Sequence, residues 1–254
     1  MLVLLPPSEG KTAPVRGKSL EVESLASPEL SQTRRAILEA LVDLCARDPE
    51  TAAATLDLGP TQADAVSRNA RLCEAPTARA DKVYTGVLYS SLDLPSLAGP
   101  ARRRATSSLA IASGLFGLVR PSDRIPAYRL SGDVSLPGIG SVARVWREAL
   151  APVVPGLVGS GLLIDLRSQM YRNLYRPDAA LAKRTVTMRV LHESNGTRTV
   201  VSHFNKASKG RIVRQMLTEA VSPRTVTGLV AALRDLGWTV ERDHNRLDIV
   251  VREV

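Results

Sequence analysis

The sequence predicts an α/β protein, a single compact domain with a mixed central sheet flanked by helices. Three observations carry this. Short, continuous apolar runs at Met1 to Leu5, Leu109 to Ala112 and Gly161 to Leu166 read as buried strands, because a strand covered on both faces loses its polar alternation. Segments with apolar residues at helical spacing lie between and after them. The 254 residues contain no internal repeat, low-complexity tract or linker, which suits one domain.

The first strand, Met1 to Leu5, is followed by a polar loop to about Leu20. Ser27-Pro28-Glu29 reads as a helix start, with an N-cap and Pro at the first helical position. The helix from Glu29 to Arg47 sets Leu30, Ile37, Leu41 and Leu44 along one stripe. Gly59-Pro60-Thr61 breaks the next helical segment, and a helix is expected from Gln62 to Leu72. Lys82 to Leu92 fits either helix or strand. Arg102, Arg103 and Arg104 lie on a helix leading into the strand that ends at Ser113-Gly114. Thr185 to His192 and Thr197 to Phe204 flank Ser194-Asn195-Gly196 and read as a hairpin. Helices from Lys206 to Ala220 and Thr225 to Leu236 follow. Trp238 to Arg242 and Arg246 to Val251 close the chain as a second hairpin.

Composition narrows the function. The chain is 44% apolar and 23% charged, as in ordinary soluble domains, and only 4% aromatic, so Leu, Val, Ile and Ala must fill the core. Its net charge of +9, mostly from arginine, favours anionic partners: nucleic acid, nucleotides or an anionic membrane surface. A high-GC coding sequence that uses Arg for Lys would give the same balance. Cys45 and Cys73, and His192, His203 and His244, share no metal-ligand spacing, so neither a metal site nor a cofactor is expected. The absence of an 18-residue apolar span and of a secretory leader pattern points to a cytoplasmic protein, read as a monomer.

Five stretches could carry chemistry. LPPSEGKT, Leu5 to Thr12, ends like a phosphate-cradling P-loop, but Leu5 stands where the first glycine is required. Pro6 and Pro7 also remove backbone N–H groups from the cradle. What survives is Lys11, just beyond the carboxyl end of a buried strand, where open α/β sheets bind ligands; the alternative is a solvated loop lysine. SGLFGLVRP, Ser113 to Pro121, follows another buried strand. Gly114 and Gly117 permit tight turning, and Arg120, Asp123, Arg124, Tyr128 and Arg129 make a dense polar set, either binding an anion or pinning the loop.

LPGIG, Leu136 to Gly140, looks like the hairpin of a helix-hairpin-helix, in which Gly138 and Gly140 would present backbone N–H groups to a DNA phosphate. A helix, Ser141 to Leu150, follows it, although Leu130 to Asp133 before it is not convincingly helical. Asp165 sits inside a buried strand and needs a cation, with Arg167, Lys11 and Arg129 as candidates, or else caps the next helix. Ser168 follows. Finally, Lys206 and Lys209 lie on or beside the apolar stripe of Ile212, Val213, Met216 and Leu217, while Arg211 and Arg214 point elsewhere. Two cations at a helix N-terminus oppose the macrodipole unless an anion sits between them; snorkelling lysines are the alternative.

Taken in order, these loops resemble the YaaA family of bacterial peroxide-stress proteins. The matching pieces are the N-terminal strand ending in Lys11-Thr12, Val83 to Gly86, the specific block SGLFGLVRPSDRIPAYRL (Ser113 to Leu130), Trp146, Asp165 to Tyr171, and Val201 to Arg214. The resemblance implies a basic cleft, a helix-hairpin-helix element, and DNA binding that depends on structure more than on sequence. It also implies protection from hydrogen peroxide by limiting iron-dependent damage to DNA. On that reading Lys11, Arg120, Arg129, Lys206, Lys209 and Arg211 contact duplex or branched DNA. Tyr84, Ser113, Gly114, Asp123, Tyr128, Gly138, Gly140, Asp165 and Ser168 line or support the cleft. Two departures stand out: the start is Pro-Pro-Ser-Glu-Gly-Lys-Thr rather than the shorter Ser-Pro-Ala-Lys-Thr, and Ala207 replaces a cation of some members. The competing expectation is an enzyme acting on a small phosphate-bearing anion or nucleotide in the same cleft.

Overall fold

A computed structural model describes residues 1–252 except Pro60, Thr61, Ala63 and Asn195. Its strands are β1 (Leu2–Leu5), β2 (Ala78–Arg79), β3 (Leu109–Ser113), β4 (Gly117–Val119), β5 (Arg124–Ile125), β6 (Ser135–Leu136), β7 (Gly140–Ser141), β8 (Leu163–Asp165), β9 (Thr185–Ser194), β10 (Thr197–Thr199), β11 (Thr239–Asp243) and β12 (Arg246–Val251). Eight of them form one mixed sheet in the order β11-β12-β9-β8-β1-β3-β4, with β10 paired to β9. The five central strands, β12 to β3, run parallel, and β11 and β4 add antiparallel edges. Every residue of β1, β3 and β8 is buried. That is why these strands read as unbroken apolar runs.

The helices are α1 (Ser31–Arg47), α2 (Pro49–Thr55), α3 (Asp64–Asn69), α4 (Ala80–Val83), α5 (Val87–Leu92), α6 (Gly99–Ser108), α7 (Val142–Leu150), α8 (Val154–Val158), α9 (Gln169–Arg172), α10 (Ala179–Ala182), α11 (Ser202–Thr218) and α12 (Val226–Asp235). The α1 stripe is as expected, with Leu30, Ile37 and Leu41 fully buried. Arg34 sits in the same stripe, also fully buried, and donates to the carbonyls of Ala26, Ser27, Phe116 and Leu118. It clamps the turn before α1 onto the β3–β4 hairpin. Ser27 makes no side-chain cap; its backbone is left-handed, and a 3-10 turn, Pro28–Leu30, precedes the helix.

Other boundaries move for physical reasons. Lys82 to Leu92 is two short helices, α4 and α5, separated where Tyr84 bridges to Lys11. Residues 64–69 are helical as expected, while the Pro60–Thr61 break lies outside the described residues. The hairpin after Thr185 forms, but its second strand stops at Thr199, and Phe204 belongs to α11. The residues of β10 are exposed, so nothing rewards a longer pairing there. Asn195, expected at its turn, lies outside the described residues.

The α11 helix instead packs closely on α5. A Cβ at Gly210 would lie 2.4 Å from the Leu88 carbonyl oxygen, so only glycine permits the approach. LPGIG is the tip of the two-stranded ribbon β6–β7, leading into α7. Among the described residues β6, not a helix, leads directly into it, so the two-helix frame of a helix-hairpin-helix is not seen there. Its glycines have positive φ, 71° at Gly138 and 77° at Gly140, because the tight β-ribbon turn requires it. Among the described residues no helix is long and apolar enough to cross a membrane.

Candidate functional site

Strand β1 connects to β3 on one side, whereas β8 connects to β9 on the other. The direction of travel therefore reverses between β1 and β8, and such a point opens a crevice beyond the carboxyl ends of the strands. A pocket of about 450 Å³ lies there. Four segments wall it: residues 6–10 after β1, residues 85–89 at the start of α5, residues 166–171 after β8, and Asn205, Lys206 and Lys209 of α11.

The α11 wall carries the charge. Lys206 is exposed at the mouth, and Lys209 is only 8% exposed within. Among the described residues, the Lys209 ammonium has neither a hydrogen bond nor an ion pair. Burial, then repulsion from Arg172, pushes its pKa down to about 8 against the pull of Asp165. The side-chain carbonyl oxygen of Asn205 is also buried without a partner among the described residues. Ser168, exposed, and Tyr171, buried, complete this end.

Lys11 lies behind the residue 6–10 loop. Its Nζ donates to the Ser8 carbonyl at 3.0 Å and sits 4.4 Å from the Tyr128 ring centroid and 5.6 Å from that of Tyr84. Burial, with Arg68 nearby, pushes its pKa down to about 7. Beneath it runs a chain of hydroxyls: the Ser113 hydroxyl meets Tyr128 at 2.6 Å, and Tyr128 meets Tyr84 at 2.9 Å. Ser113 Oγ accepts from the Phe116 N–H, which fixes the chain to the β3–β4 turn. Burial drives the phenol pKa values of Tyr84, Tyr89 and Tyr128 upward, so all three are neutral hydroxyl groups. Tyr89 donates to the Pro6 carbonyl at 2.6 Å and stacks on Tyr84. Four of the chain's five tyrosines thus gather here.

Asp165 has the cation that its burial demanded. Arg167, 1% exposed, grips it with Nε and Nη2, each at 2.9 Å, and also donates to the carbonyls of Tyr171 and Tyr175. Neither Lys11 nor Arg129 fills that role. Arg129 is paired with Glu9, which lines the pocket from the residue 6–10 loop, and the pair separates the pocket from a smaller cavity of about 310 Å³.

Several residues expected in the cleft lie elsewhere. Arg120 donates to the carbonyls of Ser107 and Leu109, at the opposite end of β3 from Ser113, because antiparallel β4 carries the chain back across the sheet. Asp123 caps that same end, accepting from the N–H groups of Ala26 and Arg120. Gly138 and Ile139 face α1, not the pocket, and Gly140 is exposed at the base of the same ribbon. Arg211 is exposed on α11 and does not line the pocket. Gly114 supports the site from behind: its carbonyl accepts from the Trp146 indole at 2.7 Å, and a Cβ there would lie 2.5 Å from the Leu130 carbonyl oxygen. Sequence reasoning missed Asn205, Thr85 and Tyr89 as pocket residues. The scarcity of tyrosine was the readable signal for Tyr89. Among the described residues no group of three or more His, Cys, Asp or Glu could hold a metal ion.

Comparison with known proteins adds a family. Residues 1–244 match the family described as peroxide stress protein YaaA. A UPF0246 protein of Streptomyces coelicolor is 49% identical over the full length of both chains. A UPF0246 protein of Corynebacterium efficiens is 39% identical over 97% of each, and one of Corynebacterium glutamicum strain R is 36% identical over 96% of each.

Proposed function

Because the chain belongs to the peroxide stress protein YaaA family, we propose that it serves the peroxide response by binding, and acting on, a small phosphate-bearing ligand of nucleotide size in the pocket between β1 and β8. One observation carries this reading: Lys209 is held almost out of water, without a partner among the described residues, facing a cavity. An unpaired ammonium on a largely buried lysine is costly, and an anion in the pocket offsets the cost. Lys206 is placed to meet that anion at the mouth. A pocket of about 450 Å³ accepts a small molecule; a duplex, whose major groove alone is about 12 Å wide, stays outside.

DNA binding is the second reading. The exposed Lys206 and Arg211 on α11 and the net charge of +9 favour it. DNA would then lie across the pocket rim, in the cytoplasm, and the protein would limit iron-dependent damage to the strand it covers.

Titration at pH 7 separates the two. A nucleoside monophosphate is expected to bind, with Lys206→Met and Lys209→Met each weakening it about tenfold, the value of one charge-assisted hydrogen bond. Duplex binding that falls steeply with salt and is indifferent to Lys209→Met, with no mononucleotide binding, would establish the DNA reading instead.

A further inference from the structure

Phosphate binding does not require that a lysine be buried. Lys206, exposed at the mouth, would suffice for charge, yet Lys209 lies deeper, three residues along the same helix face. Three residues of helix separate the two amines' stems by ~4.5 Å along the axis. Lys209 is largely withdrawn from water and has Arg172 as a cationic neighbour, against the weaker pull of Asp165. These are the two devices that turn a lysine ammonium into a nucleophilic amine. With its pKa brought to about 8, about a tenth of Lys209 is neutral at pH 7 and about half at pH 8. On the same pocket wall is the buried side-chain carbonyl oxygen of Asn205, without a partner among the described residues, an acceptor for an O–H or N–H. Two unsatisfied groups of complementary chemistry thus share one wall, with a phosphate-competent lysine at the entrance.

We propose that Lys209 is an amine nucleophile that condenses with the carbonyl group of a phosphate-bearing aldehyde or ketone, while Lys206 holds the phosphate at the mouth; this rests on the phosphate reading above. The Lys209 Nζ lone pair attacks the carbonyl carbon. An N–H proton passes to the carbonyl oxygen, giving a carbinolamine whose new hydroxyl donates to Asn205 Oδ1. The hydroxyl then leaves with the second amine proton as water, and a carbon–nitrogen double bond remains. The two amine hydrogens and the carbonyl oxygen account for the water released, and no electrons change hands. Lys11 does not compete for this role, since it lies behind the residue 6–10 loop with its amine on the Ser8 carbonyl.

Trapping with borohydride tests this on the full chain. The probes are pyridoxal 5′-phosphate and its unphosphorylated counterpart pyridoxal, added at substoichiometric ratio at pH 8, followed by reduction and peptide mapping. The expected result is a reduced adduct at Lys209, formed about tenfold more with the phosphorylated probe and suppressed by inorganic phosphate. It should disappear in Lys209→Met, and in Lys206→Met it should weaken without moving elsewhere. Labelling spread over the exposed Lys18, Lys82 and Lys183 with none at Lys209, while inorganic phosphate still binds in a Lys206-dependent way, overturns the nucleophile and leaves the phosphate reading intact. An adduct at Lys209 indifferent to both the phosphate group and competing phosphate overturns the phosphate reading, and with it the proposal. Loss of labelling in Lys209→Met is interpretable because that variant is expected to be more stable than the parent, as argued below.

Discussion

Replacing Arg167 with Met is expected to lower stability by about 3–5 kcal/mol, the usual cost of removing one partner from a buried ion pair. Arg167 is 1% exposed and Asp165 3% exposed, and the two form a bidentate pair with both contacts at 2.9 Å. Without the guanidinium, the Asp165 carboxylate keeps the Arg167 N–H at 3.1 Å and the distant Arg172, 3.9 Å away. The Tyr171 and Tyr175 carbonyls also lose their donors. For a chain of this size each kcal/mol moves Tm by about 2–4 °C, so calorimetry should read a fall of about 10 °C. The double variant Asp165→Leu with Arg167→Met should recover about half of the loss, because the stranded charge is gone. The same pair shapes the residue 166–171 wall of the pocket, so ligand binding should fall with it. A single variant as stable as the parent would show that the pair is not a structural clamp.

Lys209→Met moves stability the other way, and its pH dependence carries the argument. The Lys209 pKa drops from the ordinary 10.5 to about 8 on folding. Between those values the unfolded chain binds more protons than the folded one. Stability therefore rises with pH across that window, and the favourable contribution is lost as pH falls through 8. Below pH 8 the folded state carries the full cost of a desolvated ammonium, about 3 kcal/mol from the shift alone. Met fills the same apolar slot without charge. Urea unfolding should show the variant more stable by about 2 kcal/mol at pH 7, with the gain shrinking to nothing near pH 10.5. A gain that does not change with pH would mean that Lys209 is not desolvated in the folded protein.

The parts of the fold legible in the sequence are those fixed by burial on both faces. The strands β1, β3 and β8 read as apolar runs because they are buried on both faces of the sheet, and Lys11 follows a strand end by adjacency alone. Lys206 and Lys209 were legible because helical spacing put them on or beside the apolar stripe of α11. Arg120 was not, since its position depends on the antiparallel return of β4, which carries it to the far end of the sheet from Ser113. Arg129 looked like a free cation because its pairing with Glu9 is a tertiary fact. The glycines of LPGIG signalled a turn and nothing more: positive φ serves a β-ribbon as well as a helical hairpin. The pocket itself was beyond sequence reasoning, because its four walls come from segments spread over residues 6–209.

In the proposed function, the ligand's phosphate is held at the mouth by Lys206, with Lys209 facing the ligand deeper in the crevice where β1 and β8 part. A crystal soaked with adenosine 5′-monophosphate tests it by location alone. Phosphate density within hydrogen-bond reach of the Lys206 amine, about 2.7–3.2 Å, with the rest of the ligand in the pocket against Lys209, is the expected result. Density confined to exposed arginines such as Arg102 and Arg103 of α6, with the β1–β8 pocket holding only water, would contradict it.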